Sequence, residues 1–217
     1  MSPTPKSPPP KKSPPKKASF ADEAELTFSD PAAWAAWLKA HHATSGAVWL
    51  RMARKHTGIA SIDYAGALEV ALCWGWIDGQ RASLDASYFR QRFSRRVARS
   101  PWSKVNVAKC EALLAAGKME PPGQSEIDRA KADGRWQRAY DSPAKATVPD
   151  DLQAALDASP EATAHFATLN AQNRFAVLYR IQAAVKPETR ARRIQEFVAL
   201  LARGETLHPV GPKRPAA

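Results

Sequence analysis

The sequence predicts an α+β protein: an N-terminal antiparallel sheet of about four strands with packed helices, followed by a small all-helical C-terminal module. Three observations carry this. Residues 47–54 (AVWLRMAR) alternate Val48, Leu50 and Met52 against Trp49, Arg51 and Ala53, the two-residue period of a strand. Two more runs, GWIDGQRASLD and YFRQRFSRR, flank Asp85-Ala86-Ser87, a short polar connection suited to a hairpin. From residue 150 to Gly204 the apolar residues recur at helical spacing.

Residues 1–19 repeat Pro, Lys and Ser, with seven prolines, five lysines and no acid. Such a stretch buries too little apolar surface to offset its ordering entropy, so a disordered tail is expected. Globular composition starts at Phe20. Ser29-Asp30-Pro31 is a helix start, with a capping side chain and a proline in the first turn; Trp34, Trp37 and Leu38 follow on one face. The strand at 47–54 comes next, then a helix from Ile62 to Cys73 with Asp63 in its first turn, ended by Gly75. In the second hairpin run Phe89, Gln91 and Phe93 face one way, and Tyr88, Arg90 and Arg92 the other.

Ser100-Pro101-Trp102-Ser103 then opens a helix, with Ser100 as cap and Pro101 first, running to Gly117. MEPPG breaks the chain, a short helix covers Ser125 to Lys131, and Arg135 to Tyr140 leads into DSPAKATVP. Helices start near Asp150, at Ser159-Pro160-Glu161, around Phe175 and at Pro187, the last with Ile194, Phe197, Val198 and Leu201 as its stripe. The expected organisation is thus a Pro/Lys tail over 1–19, an α+β domain over 20–140, a linker over 141–149, a helical module over 150–204 and a flexible tail over 205–217.

At 217 residues the chain is long enough to fold without staples, and two cysteines supply neither a disulfide framework nor a thiolate zinc site. Apolar runs such as Val70 to Trp74 are far too short for a bilayer of ~30 Å, and the N-terminus lacks a signal peptide's apolar core. A soluble, cytoplasmic protein is expected. The formal net charge is +11, and residues 81–109 alone hold eight cations against Asp85. Such a balance suits anionic partners.

Enzyme motifs are sparse. The chain has no glycine-rich dinucleotide or phosphate loop, no nucleophile elbow and no zinc-protease helix. Adjacent His41 and His42 diverge on a helix; His56, His165 and His208 read as solvated surface, and Cys73 and Cys110 as small core residues. No metal and no cofactor is expected. The informative stretch is Trp74 to Asn106. A helix N-terminus offers unpaired N–H groups and a positive dipole end, a natural place for an anion. Here Ser100 and Ser103 add hydroxyls, Arg92, Arg95, Arg96 and Arg99 add forked cationic donors, and Trp102 and Trp76 add aromatic walls, with Asn106 one turn on. Those residues could also be an ordinary cap, a solvated strand face and core. Asp78 either salt-bridges one of the arginines or shapes the Asp-Gly turn.

ALCWGWIDGQ, then RRVARSPWSKVN and a helix ending GKM, resemble the YdeI/OmpD-associated, or bacteriocin-protection, family. VPDDLQAALDASPEATAHF, RIQAAVKPETRARRI and ARG resemble the same family's small helical module, so the resemblance runs from about Phe28 to Gly204. The resemblance places Trp76, Asp78, Arg95, Arg96, Trp102, Ser103 and Asn106 in characteristic blocks, and implies no reaction, cofactor or catalytic residue.

The leading expectation is a non-enzymatic stress-protection protein that binds an anionic small molecule or acidic protein through the basic, Trp-rich face. Direct capture of a cationic peptide is disfavoured by charge. The alternative is nucleic-acid binding, with Tyr88, Phe93 and Trp102 stacking among arginines and the N-terminal tail adding charge. A second alternative is an enzyme acting on an anionic small molecule through Asp78 or Ser103.

Overall fold

The computed structural model describes residues 23–209; the expected tail at 1–19 and the last eight residues lie outside this range. The described chain forms two compact units, one of residues 23–71 with Ile77–Arg95, the other of Leu72–Trp76 with residues 96–209.

The first unit holds most of the sheet. Its strands are β1 (Glu25–Leu26), β2 (Ala47–Ala53), β3 (Trp76–Ser83, from Ile77 on) and β4 (Tyr88–Arg95), in the order β1-β2-β4-β3. β2 and β4 run antiparallel, with Val48 opposite Phe93 and Trp49 opposite Arg92. The sheet is not wholly antiparallel, however: β1 pairs with β2 in parallel, Glu25 against Trp49. The reason is the crossover helix α1 (Pro31–His41), which carries the chain back so that β2 leaves in the same direction as β1. With two residues, β1 is too short to show a period in sequence.

Asp30 caps α1, its carboxylate accepting from the Ala33 amide at 2.9 Å. Trp34 and Leu38 are fully buried, and Trp34 Nε1 donates to the Ala67 carbonyl. Trp37 is half-buried and stacks on Trp34, centroids 5.3 Å apart. Val48, Leu50, Met52, Phe89, Gln91 and Phe93 are buried as their alternation required. Gln91 is accommodated because its amide donates to the Gly79 and Gln80 carbonyls. The hairpin connection is closed by Asp85, whose carboxylate accepts from the Ser87 and Tyr88 amides at 2.7 Å; these bonds hold its pKa below the ordinary value. α2 spans Tyr64–Cys73, with Asp63 just before it accepting from the Gly66 amide.

The second unit is helical: α3 (Lys104–Ala115), α4 (Pro121–Ala132), α5 (Asp150–Asp157), α6 (Pro160–Thr168), α7 (Ala171–Gln182) and α8 (Pro187–Ala202). α3 begins later than expected. Ser103, not Ser100, is its cap, accepting from the Asn106 amide, and Pro101 precedes the helix. α4 begins earlier, since Pro121 and Pro122 fill first-turn positions where no amide partner is needed. Gly123 sits inside α4 because a Cβ there would collide with the Cys73 carbonyl. The module over 150–204 encloses its own core, with Leu152, Leu156, Phe166, Ile181, Ile194, Phe197 and Leu201 buried.

The expected linker lies inside the second unit: Tyr140, just before it, is tied to Trp102 and Lys104 through its amide and carbonyl, and its ring meets Tyr179 of α7 edge-on at 4.9 Å. Residues 205–209, expected within a flexible tail, are held too: buried Asn173 of α7 bonds both the amide and the carbonyl of His208. Among the described residues no helix is long and apolar enough to cross a membrane.

Candidate functional site

Three segments of the second unit build a cleft. The first, residues 96–103, is a tight loop: the Ser100 hydroxyl accepts from the Val97 amide, and the Ser100 amide donates to the Val97 carbonyl. The second is the turn after α4. Asp133 accepts from Arg135 Nε at 2.7 Å, Gly134 takes φ 75°, and Arg135 Nη1 reaches the Ser100 carbonyl at 2.8 Å. Arg138 Nη2 donates to the Asp133 carbonyl. The third is the end of α7, with Tyr179 and Gln182, followed by Ala183 and Val185.

Together, Arg99, Pro101, Trp102, Arg135, Arg138, Tyr140, Tyr179, Gln182, Ala183 and Val185 line a cavity of about 270 Å³. Its chemistry is donor-rich. Trp102 is 2 % exposed, and its indole Nε1–H has no acceptor; Arg135 Nη2 is likewise buried without a partner. No Asp or Glu contributes to the lining. Arg96 lies over the Trp102 ring, its guanidinium carbon 3.5 Å from the centroid. It is 2 % exposed, donates through Nη1 to the Pro101 carbonyl, and leaves Nε and Nη2 unpartnered. Burial pulls its pKa down to about 10, so it sits as a cation that its surroundings do not fully compensate. An unmet buried donor costs about 1–3 kcal/mol, and Trp102, Arg135 and Arg96 each carry at least one.

The sequence-selected residues divide between the two units. Asp78, Arg92 and Arg95 belong to the first; Trp76, Arg96, Ser100, Trp102, Ser103 and Asn106 to the second. Asp78 does neither of the things expected of it. It lies within β3, because the strand continues through Gly79, and its carboxylate accepts from the Tyr64 hydroxyl at 2.8 Å. Arg92 forms a bidentate pair with Glu23 at 2.7 and 2.6 Å, Arg90 pairs with Glu25, and Arg95 donates to the Ala43 carbonyl. Trp76 is fully buried, Ser103 and Asn106 are engaged in the α3 cap, and the Ser100 hydroxyl serves its own turn. Trp102 lines the cleft and Arg96 backs it. Cys73 and Cys110 are buried, with burial pushing the Cys110 thiol up to about 12.

Arg99, named among the cations upstream of α3, does line the cleft; sequence reasoning passed over Arg135, Arg138, Tyr140 and Tyr179. The signal for three of them was GRWQRAY, two arginines interleaved with Trp136 and Tyr140 directly after an Asp-Gly turn. In the first unit, Arg54, Lys55, His56, Asp63, Tyr64, Arg81 and Phe89 line another cavity of about 320 Å³. Its lining includes the carboxylate of Asp63, and none of its side chains carries a buried donor without a partner.

The fold and the cleft define a two-unit α+β protein with a cationic, donor-lined cleft in its helical unit. Residues 145–204 match the family described as bacteriocin-protection, YdeI or OmpD-associated, so the resemblance to that family holds over the helical module. Residues 26–126 match a different model, described as a domain of unknown function (DUF8412). No match is found among curated proteins or among solved structures.

Proposed function

We propose that this protein is a binding protein for an anionic small molecule, held in the cleft between the 96–103 loop, the 133–140 turn and the end of α7. The observation that carries the reading is the pair of buried, unanswered N–H groups on Trp102 and Arg135, two side chains that line a cavity together with Arg99 and Arg138; the lining itself holds no carboxylate, and Asp133 beside it meets only Nε of Arg135. A carboxylate or phosphate oxygen satisfies such donors and neutralises such charge; a cation or neutral donor does neither. The lining is made of donors, aromatic faces and small apolar groups, which suits recognition rather than proton transfer. A side-chain carboxylate of an acidic protein would meet the same donors. Nucleic acid is the weaker reading, because phosphates on the sheet would have to displace Glu23 and Glu25 from Arg92 and Arg90. With a net charge of +11, a protective role of the kind the matched family's description names would act through the bound anion, not through capture of a cationic peptide.

Thermal unfolding with methyl phosphate, acetate and matched sodium chloride tests this. At about 100 times the Kd, a ligand that binds only the folded state adds about 2.7 kcal/mol and raises the midpoint by several degrees. The rise should fall to about a third in Arg135→Ala and to between about half and two-thirds in Trp102→Phe. Equal shifts in all three proteins, or none in any, would overturn the reading.

A further inference from the structure

The anion cleft has an apolar neighbour. A cavity of about 520 Å³ has Pro143, Ala171, Phe175, Ala176, Tyr179 and Arg180 in its lining, and Tyr179 lines the anion cleft as well. The two cavities follow one another along α7. Ala171 to Ala176 serve the apolar groove, Tyr179 serves both, and Gln182 and Ala183 serve the cleft. Aromatic rings continue across the junction: Tyr140 meets Tyr179 edge-on at 4.9 Å, and Phe175 lies 5.8 Å from Tyr179. At 1.5 Å rise per residue, residues 175 to 182 span about 10 Å, the reach of roughly eight methylene carbons.

We propose that the ligand is an amphiphilic anion, its oxyanion head on Trp102 and Arg135 and its apolar tail laid along α7 over Tyr179 into the groove. This rests on the anion-binding reading and adds the tail. A small hydrophilic anion would leave the groove to water, while an apolar molecule without a head would leave the buried donors unmet. Neither lining includes an Asp or Glu, so no carboxylate along the path repels the head. Phosphate and carboxylate heads share the required chemistry.

Calorimetric titration of the full chain with methyl, butyl and octyl phosphate, and with acetate, butyrate and octanoate, separates the parts. A fully buried methylene is worth about a 4-fold gain, so a chain lying in an open groove should tighten binding about 2-fold per methylene. Ala176→Leu, which fills the groove from α7, should flatten the series to the level of its shortest member while leaving methyl phosphate and acetate unchanged. Trp102→Phe should weaken every member of a series by one common factor. A chain-length gain in either head series that Ala176→Leu abolishes supports the proposal, and the series showing it identifies the head. If short and long chains bind equally, or the gain survives Ala176→Leu, the tail site is wrong while the anion cleft stands. If no anion of either series binds, both fail together.

Discussion

The outer face of the sheet and the cleft of the helical unit are built from the same residue types, arginine beside tryptophan or tyrosine. On the sheet, Arg92 and Arg90 meet Glu23 and Glu25, while Arg51 and Arg90 lie over Tyr88 and Trp49 at 4.0 and 4.5 Å. In the cleft, Arg96 stacks on Trp102 in the same way, but no carboxylate answers it within ion-pairing distance, and the indole N–H beside it is unmet. Nε atoms of Arg51 and Arg90 are also without hydrogen-bond partners, so stacking alone does not mark a site. What separates the regions is how fully carboxylates answer the arginines. On the sheet Glu23 takes two donors of Arg92 and Glu25 meets Arg90; in the cleft Asp133 meets only Nε of Arg135, leaving its Nη2 unmet, and no carboxylate pairs with Arg96.

The largest effect that would sharpen this contrast is on the sheet. Arg92 and Glu23 are 16 % and 13 % exposed, and Arg92→Ala strands the carboxylate. Denaturant unfolding should show a loss of about 2–3 kcal/mol, somewhat below the range for fully buried pairs, with anion affinity unchanged. Arg92→Lys should restore only part of it, since a lysine cannot make both bonds. In the cleft the pattern inverts. Arg135→Ala should weaken methyl phosphate about 30-fold, near 2 kcal/mol, the lower end for truncating one partner of a buried charge pair. Trp102→Phe should weaken it about 5- to 10-fold while costing the unliganded protein no more than about 1 kcal/mol, because the packing lost with the smaller ring is offset by removal of a buried donor without an acceptor. A loss of about 3 kcal/mol or more would break the comparison, since removing the indole N–H would then offset nothing.

The smallest effect is a surface control. The Arg190 side chain holds Asp151 below its ordinary value of 3.8. A depressed carboxyl pKa contributes stability that is present above the unfolded value and is lost as pH falls through the folded one. Between about pH 5 and 3 the wild type should therefore lose more stability than Asp151→Asn, by no more than about 0.5 kcal/mol, because this largely exposed pair is screened by solvent. A larger difference would mean that the pair is less exposed to water than its geometry implies.

Much of the fold was legible because its signals are local. Alternation at 47–54, the Asp85 connection, the proline starts of α1, α6 and α8 and the Ile194–Phe197–Leu201 stripe each depend on neighbours in sequence. What escaped was set at long range. The parallel pairing of β1 follows from the path of α1, and the early start of α4 goes with the place Gly123 takes against Cys73. The site was half legible for the same reason. Trp102 and Arg96 stood out in RRVARSPWSKVN, but their apparent companions Arg92 and Arg95 are engaged within the first unit. The cleft's other walls come from residues 33 to 83 positions beyond Trp102, and periodicity cannot bring Arg135 and Tyr179 to one place.

The most direct test is the indole ¹H–¹⁵N resonance of Trp102, identified by its loss in Trp102→Phe and followed while methyl phosphate is added to the full chain. The account predicts a downfield shift that saturates with the calorimetric Kd and needs about 30-fold more methyl phosphate in Arg135→Ala, as the unmet N–H acquires its acceptor. An indole signal that stays fixed while the anion binds would contradict it, and would place the anion away from the cleft.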